Sequence, residues 1–310
     1  MTASALSTDD VLRASVRAAD GAVRAVTLDP RFQGLPDTAH GGSVLALFDA
    51  IARADARGAG APARTPRLLS GTYRKRVPLG APLTLSVAHD GPVTRLQLSD
   101  GGALLVDGAV GVADAAGEAG DTPRGATAAW PAAAAGSRGE MLPLSKTCFA
   151  CGTENTLGLR VRLRIDDEHV FGVWQPTEQF RRSGGGLPVV AITTLLDEAA
   201  FWLGAAGSGE SGMTTGLRVR LHAAVPAADA ASPGGGAILV VGSRGSVRAR
   251  ADDPRYWETA IGAWDSDGRL LASAEITFVA VRGAARKLVN GLLAMNPPDV
   301  LRRVFPAYVR

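Results

Sequence analysis

Cysteine is nearly missing from this chain, with two residues in 310. That excludes a disulfide framework and points to reduced thiols. Aromatic residues are also scarce, at 5%. No charge of one sign dominates: 33 Lys and Arg face 30 Asp and Glu, for a formal net charge of +3. The basic residues are scattered through strand-like segments, whereas a nucleic-acid surface calls for a concentrated basic face. No uncharged apolar run reaches the roughly 20 residues that a membrane span needs. The opening stretch MTASALSTDDVLRAS carries acids and lacks the basic–apolar–small order of a secretion signal. Together these absences predict a cytoplasmic protein with no nucleic-acid or membrane partner.

What the chain does have is a repeat. Phe32, Leu47, Asp49, Leu69, Val77 and Pro78 recur as Phe180, Leu195, Asp197, Leu217, Val225 and Pro226. The offset is constant, since 180 − 32 = 197 − 49 = 226 − 78 = 148. A constant offset over that span argues for duplication, and 310 residues suit two domains of about 150 each. One segment breaks the symmetry: His40-Gly41-Gly42 becomes Pro188-Val189-Val190.

Periodicity predicts similar elements in both copies. Thr8 to Ala19 read as a short helix and Ala22 to Asp29 as a strand. Ser43 to Arg57 form a helix apolar around most of its circumference, hence buried. Strand-like runs follow at Arg67–Lys75, Leu83–His89, Val93–Leu98 and Ala103–Val112, separated by Pro-Leu-Gly, Asp-Gly and Ser-Asp-Gly-Gly turns. The second copy repeats the order, with strands at Leu157–Ile165 and Val170–Gln175 and a buried helix at Pro188–Leu203. Its further strands are Thr214–Val225, Ala237–Arg248, Tyr256–Trp264 and Arg269–Val281. A long helix followed by antiparallel strands makes an α+β unit. The expected division is a first domain at 1–125, an Ala/Gly/Pro/Ser-rich linker at 126–145, a second domain at 146–283, and a helical tail at 284–310.

Three groups of residues carry a resemblance. They are Phe32-Gln33-Gly34; His40-Gly41-Gly42 with Asp49 nine residues after the histidine; and Cys148-Phe149-Ala150-Cys151-Gly152 followed by Asn155 and Gly158-Leu159. With Leu196-Asp197-Glu198-Ala199 and Arg76-Val-Pro-Leu-Gly80, they make the chain resemble the hotdog-fold acyl-CoA thioesterase superfamily. The resemblance implies a tandem (double) hotdog, each half a long central helix wrapped by an antiparallel sheet. It also implies an internal pseudo-dimer, open to further homo-oligomerisation, whose sites combine the helix of one copy with strands of the other. The substrate implied is an acyl thioester, with coenzyme A part of the substrate and no separate cofactor.

The chemistry expected centres on Asp49, which lies on an otherwise apolar helix face where a carboxylate is costly unless compensated. The resemblance makes it the general base or nucleophile; the alternative is an Asp bonded to a neighbouring strand or helix end. Gly41 N–H, at a helix N-terminus, is the expected oxyanion donor, beside Gly42, with His40 orienting the carbonyl or capping the helix. Asp197 keeps the acid without the His-Gly-Gly, so its site is expected to be altered or degenerate. Phe32 and Gln33 are counted with the substrate site, as are Thr214 and Thr215, expected to serve Asp49 from the other copy. Ser70 and Thr72 are expected to serve Asp197. Arg74, Arg76, Arg181 and Arg182 are candidates for coenzyme A phosphates, against the alternative of solvated charges. Cys148 and Cys151 have metal-like spacing, but with no second pair no metal site is expected, and they read as a packed turn. A Gly-Asp-x-Asn-Pro-x-His run of hydratases is absent. The rival readings are hydration, dehydration or another biosynthetic step on an acyl thioester, and a non-catalytic acyl-binding module.

Overall fold

The computed structural model describes residues 7–17, 22–58, 66–112, 129–180, 186–223 and 236–309. In the first copy a short helix α1 (Thr8–Ala14) is opened by Ser7, whose hydroxyl accepts from the Asp10 N–H at 3.2 Å. The helix stops at Ala14 because the chain turns into a two-residue edge strand, β1 (Val16–Arg17), which pairs with β2 (Val23–Val26). The long helix α2 (Gly41–Gly58) follows, then β3 (Arg67–Tyr73), β4 (Leu83–Asp90), β5 (Val93–Asp100) and β6 (Ala103–Val112). Alternation sets the faces: Leu83, Leu85 and Val87 of β4 are buried, while the residues between them are exposed.

The segment whose composition reads as a linker holds a helix, α3 (Ala129–Gly136), and a short strand, β7 (Glu140–Met141). In α3, Trp130 packs edge-on against Trp264, with ring centroids 6.2 Å apart. Burying that indole explains why an Ala-rich stretch orders here. The second copy continues with β8 (Arg164–Ile165), β9 (His169–Trp174), the long helix α4 (Val189–Ser208), β10 (Gly212–Leu221), β11 (Ile238–Ser243), β12 (Arg248–Ala249), β13 (Tyr256–Trp264) and β14 (Leu270–Ala280). Of the strand expected over Leu157–Ile165, only Arg164–Ile165 is ladder-paired. The rest is held by loop bonds such as Leu159 N–H to Phe149 O at 2.8 Å. Helices α5 (Ala284–Leu292) and α6 (Pro298–Val304) close the chain. The insertion at 227–236 and the Val225-Pro226 pair lie outside the described residues, apart from Gly236.

The ladders join into one antiparallel sheet in the order β1-β2-β4-β5-β6-β3-β10-β14-β13-β11-β9-β8-β7, with β12 beside β13. Its seam is β3 against β10, from Arg67 opposite Leu221 to Thr72 opposite Gly216, so one strand of each copy pairs with its repeat-mate. Helices α2 and α4 pack against each other and against the sheet. Their approach is close: a Cβ on Gly42 would lie 2.5 Å from the backbone oxygen of Thr193, whose hydroxyl donates to Gly42 O at 2.7 Å. Only glycine permits that contact. By length and mean hydropathy (1.5) α4 passes as a membrane span, but 83% of its most apolar 18-residue stretch is buried inside the protein, as suits a core helix. The tail covers its outer flank, with Phe305 6.4 Å from Trp202.

Candidate active site

The loop after β2 delivers His40 to the start of α2. The His40 N–H donates to Phe32 O at 2.8 Å, Ala39 N–H to Val77 O at 2.9 Å, and Gly34 N–H to Thr38 O at 2.9 Å. The opening loop of the second copy is tied to this one. Phe149 N–H donates to Gln33 O at 2.6 Å, and Asn155 Nδ2 bridges Arg31 O (2.7 Å) and Thr147 O (2.9 Å). These bonds bring the start of α2 against the middle of α4.

There His40 meets Asp197, not Asp49. His40 Nδ1 lies 3.0 Å from Asp197 Oδ2, and the Gly42 N–H donates to the same oxygen at 2.9 Å. The Thr214 hydroxyl, from β10, donates to Asp197 Oδ1 at 2.6 Å. The other imidazole nitrogen, His40 Nε2, is 3.4 Å from Glu198 Oε2. All three ionisable residues are at most 5% exposed. Burial acts against the His40 cation, but the hydrogen bond and charge of Asp197, with Glu198 and Cys148, outweigh it and hold its pKa well above the ordinary 6.5. Burial likewise opposes the Asp197 anion, and the His40 charge and hydrogen bond, Thr214 and Gly42 N–H reverse that and lower its pKa. The phenol of Tyr73 is pushed well up by burial and by the Asp197 charge, and it donates to Gly41 O at 2.6 Å.

This cluster forms one wall of a cavity of about 380 Å³ that also takes in Gln33, Gly41, Cys148, Cys151, Phe201 and Trp202. Among the described residues no acceptor meets the Gly41 N–H, a donor at a helix N-terminus, and Gly41 lines the cavity. Exposed Lys75, Arg76, Lys146 and Lys287 ring the cavity.

The structure sorts the residues singled out from sequence. His40, Gly41, Asp197, Gln33, Thr214 and Arg76 come together on the cavity. Asp49 does not: it is 1% exposed, lies outside the cavity, and sits 3.1 Å from Arg67 Nε and 3.7 Å from Arg53 Nη1. The expected pairing of Asp49 with the glycines of its own copy therefore fails, because the N-terminus of α2 faces α4. Thr214 serves the acid of its own copy. Thr215, one residue on, points the other way and donates to Thr277 O at 3.3 Å. Phe32 is fully buried against Phe149, with ring centroids 5.0 Å apart, and is core. Gly42 is a helix-crossing residue that also binds Asp197. Arg74 lies outside the cavity, 4.0 Å from Asp107. Ser70 and Thr72 border a separate surface groove along the seam. Arg181 and Arg182 lie outside the described residues. Sequence reasoning missed Tyr73, Glu198, Lys146 and Lys287; for Glu198 the signal was a second acid inside a helix with no basic residue near it.

No family model matches the chain, and no curated protein sequence matches it. Solved structures do resemble it. One is a putative thioesterase from Novosphingobium aromaticivorans, 19% identical over 86% of this chain and 98% of that one, with a TM-score of 0.55. Another is the acyl-CoA thioesterase II TesB2 from Mycobacterium marinum, 13% identical over 90% and 99%, TM-score 0.51. A third is the dehydratase domain of RzxB from Pseudomonas fluorescens, 15% identical over 83% and 93%, TM-score 0.51. At such identities the likeness is one of fold, and the fold is the tandem hotdog.

Proposed function

We propose that this chain hydrolyses an acyl thioester in the cavity between its two copies, which form an internal pseudo-dimer. One observation carries the reading. A buried carboxylate, Asp197, is fixed by Thr214 at 2.6 Å, His40 at 3.0 Å and Gly42 N–H at 2.9 Å. It lies beside a helix N-terminus whose Gly41 N–H has no acceptor among the described residues. In this reading the thioester carbonyl lies against Gly41 N–H, where the helix dipole and the donor stabilise the oxyanion that forms on attack. Asp197 and Thr214 hold a water; Asp197 accepts its proton as the water oxygen bonds to the acyl carbon. The oxyanion then collapses, the C–S bond breaks, and the thiolate leaves and takes up a proton. Products are a carboxylic acid and a thiol. Arg76, with Lys75, Lys146 and Lys287, is placed to take the phosphates of a coenzyme A or phosphopantetheine substrate at the mouth. The acid-bearing site is thus a composite, with donors from the first copy and the base from the second.

The dehydratase neighbours favour a second reading, loss of water from a 3-hydroxyacyl thioester by His40 and Asp197. It needs an imidazole lone pair directed at the substrate α-proton. Here Nδ1 is held by Asp197 and Nε2 is turned toward the Glu198 side, so neither is aimed at a substrate, which weighs against it. Thiol release and enoyl absorbance, followed together on a panel of acyl- and 3-hydroxyacyl-CoAs, separate the two. Thiol release lost in Asp197→Asn supports hydrolysis. Enoyl product without thiol supports dehydration, and tight binding without either product supports an acyl-binding module.

A further inference from the structure

On the side of His40 away from Asp197 lie three side chains that the proposed hydrolysis does not use, Cys148, Cys151 and Glu198. His40 Nε2, Cys148 Sγ and Glu198 Oε2 all lie within 4.8 Å of one another, and all three residues are buried. The Cys151 thiol lies outside that group but beside it, close enough to interact with Cys148 and Glu198. These are one imidazole, two thiols and one carboxylate, gathered from both copies of the repeat.

The turn bearing the thiols is built to present sulfur. The Ala150 N–H donates to Cys148 Sγ at 3.3 Å, which fixes the position of that sulfur. The Gly152 N–H closes the turn on Cys148 O at 2.9 Å, and a Cβ at Gly152 would lie only 2.2 Å from that oxygen. Gly152 is therefore required for the turn's shape. The partners from elsewhere are aimed as well. Asp197 holds His40 through Nδ1 at 3.0 Å, leaving Nε2 toward the cluster. Trp202 Nε1–H holds Glu198 through Oε1 at 3.0 Å, leaving Oε2 toward it. A carboxylate behind a histidine and a donor behind a glutamate are the outer bonds that orient metal ligands. By contrast, the contacts inside the cluster are long: 3.4 Å from His40 to Glu198, and 3.9 Å from Cys148 to Glu198. The groups are well held from outside and poorly satisfied among themselves.

We propose that His40 Nε2, Cys148 Sγ, Cys151 Sγ and Glu198 Oε2 form a binding site for one divalent cation of the zinc class. Two sulfurs, one nitrogen and one oxygen suit a borderline-soft ion that accepts four ligands without geometric preference, and they exclude magnesium and calcium, which take oxygen. Binding exchanges the protons of the two thiols and of Nε2 for the cation. The ion would clamp the first copy's helix N-terminus to the second copy's entry loop and to α4, beside the cavity. The inference does not rest on the thioesterase reading, and no step of hydrolysis passes through the ion.

The test uses the full chain without an affinity tag, reduced, stripped with a chelator and desalted. Zinc chloride is titrated against a chromophoric chelator, and cobalt(II) is added in parallel for its spectrum. The expected result is one equivalent bound per chain. It is accompanied by thiolate-to-cobalt absorption in the near ultraviolet, a rise in Tm, and zinc protection of both thiols from alkylation. Cys148→Ser and Cys151→Ser should each weaken binding by at least about 100-fold. Trp202→Phe, which removes only an outer bond, should do so by roughly 10-fold or more. Because the serine variants can fail to fold, alkylation of the wild type with and without zinc carries the test alone if needed. Absence of binding by the folded, reduced chain overturns the proposal. So does one equivalent bound with both thiols still freely alkylated, or a pair found already oxidised that binds no cation after reduction. A chain that binds zinc and releases no thiol from any acyl-CoA leaves this site standing and removes the hydrolysis reading.

Discussion

Asp49 and Asp197 occupy the same position in two copies of one helix, and the protein treats them in opposite ways. Around Asp49 the compensation is cationic: Arg67 at 3.1 Å and Arg53 at 3.7 Å enclose it at 1% exposure, outside the cavity that Asp197 lines. Around Asp197 the compensation comes from directed donors: Thr214, Gly42 N–H and His40, on a cavity wall. At the offset of 148, Arg53 corresponds to Phe201, Arg67 to Thr215, Pro66 to Thr214, and His40-Gly41-Gly42 to Pro188-Val189-Val190. A few substitutions after duplication therefore separate a buried ion pair from a candidate catalytic group. The glycines belong to one copy, but the acid they serve belongs to the other.

The sharpest way to break that comparison is to neutralise each acid in turn. Asp197→Asn keeps the shape and removes the proton acceptor. Thioester hydrolysis should fall by roughly 10²- to 10⁴-fold, the range for a positioned general base, with the variant still folded by circular dichroism. Asp49→Asn should do the reverse. It strands two guanidinium groups at a buried position, a loss of about 3–5 kcal/mol of stability. Denaturant unfolding would register that loss, while kcat of the folded fraction stays near wild type. If Asp49→Asn abolishes turnover and Asp197→Asn does not, the assignment made here is inverted.

Much of this contrast was legible in the sequence, and the pairing was not. The repeat, both long helices, the acid on each and the broken His-Gly-Gly all follow from residue pattern. Hydrophobic periodicity tells which side of a helix is buried but not what it is buried against. Leu45, Phe48 and Ala52 make Asp49 look as enclosed as Asp197, and only the seam between β3 and β10 decides that the N-terminus of α2 meets α4. One local signal was available. Arg53 stands four residues after Asp49, the spacing of a helical ion pair, whereas Phe201 stands four after Asp197. The cluster of His40, Cys148, Cys151 and Glu198 was hidden for a related reason. His40 stands 108 residues before Cys148 and Glu198 stands 50 after it (148 − 40 = 108, 198 − 148 = 50), and the second pair that a zinc site needs is supplied by other side-chain types.

A smaller effect sharpens the role of the glycines. Gly42→Ala places a Cβ 2.5 Å from the Thr193 backbone oxygen, and backbone cannot step aside as a flexible side chain can. Helices α2 and α4 must separate, at about 1–3 kcal/mol, the usual penalty for overpacking. Thermal unfolding should report it. A Tm equal to wild type would mean that the crossing is looser than the contact implies and that Gly42 is kept for its N–H alone.

The last predicted change concerns the hydroxyl that bonds the second copy's acid. Thr214→Val conserves shape and removes the hydroxyl that donates to Asp197 Oδ1 at 2.6 Å. A hydrogen bond to a charged group contributes about 1.5–3 kcal/mol, so kcat/KM should fall by roughly 10- to 100-fold if the bond is needed to hold the carboxylate and its water in the transition state. The equivalent residue in the first copy, Pro66, has no donor to offer Asp49. A Thr214→Val enzyme with the full rate, alongside an inactive Asp197→Asn, would show that His40 and Gly42 suffice to position the acid. The difference between the two copies would then lie wholly at the start of α2. A fall in kcat with KM unchanged would instead place part of it on β10, where one hydroxyl turns a buried anion toward the substrate.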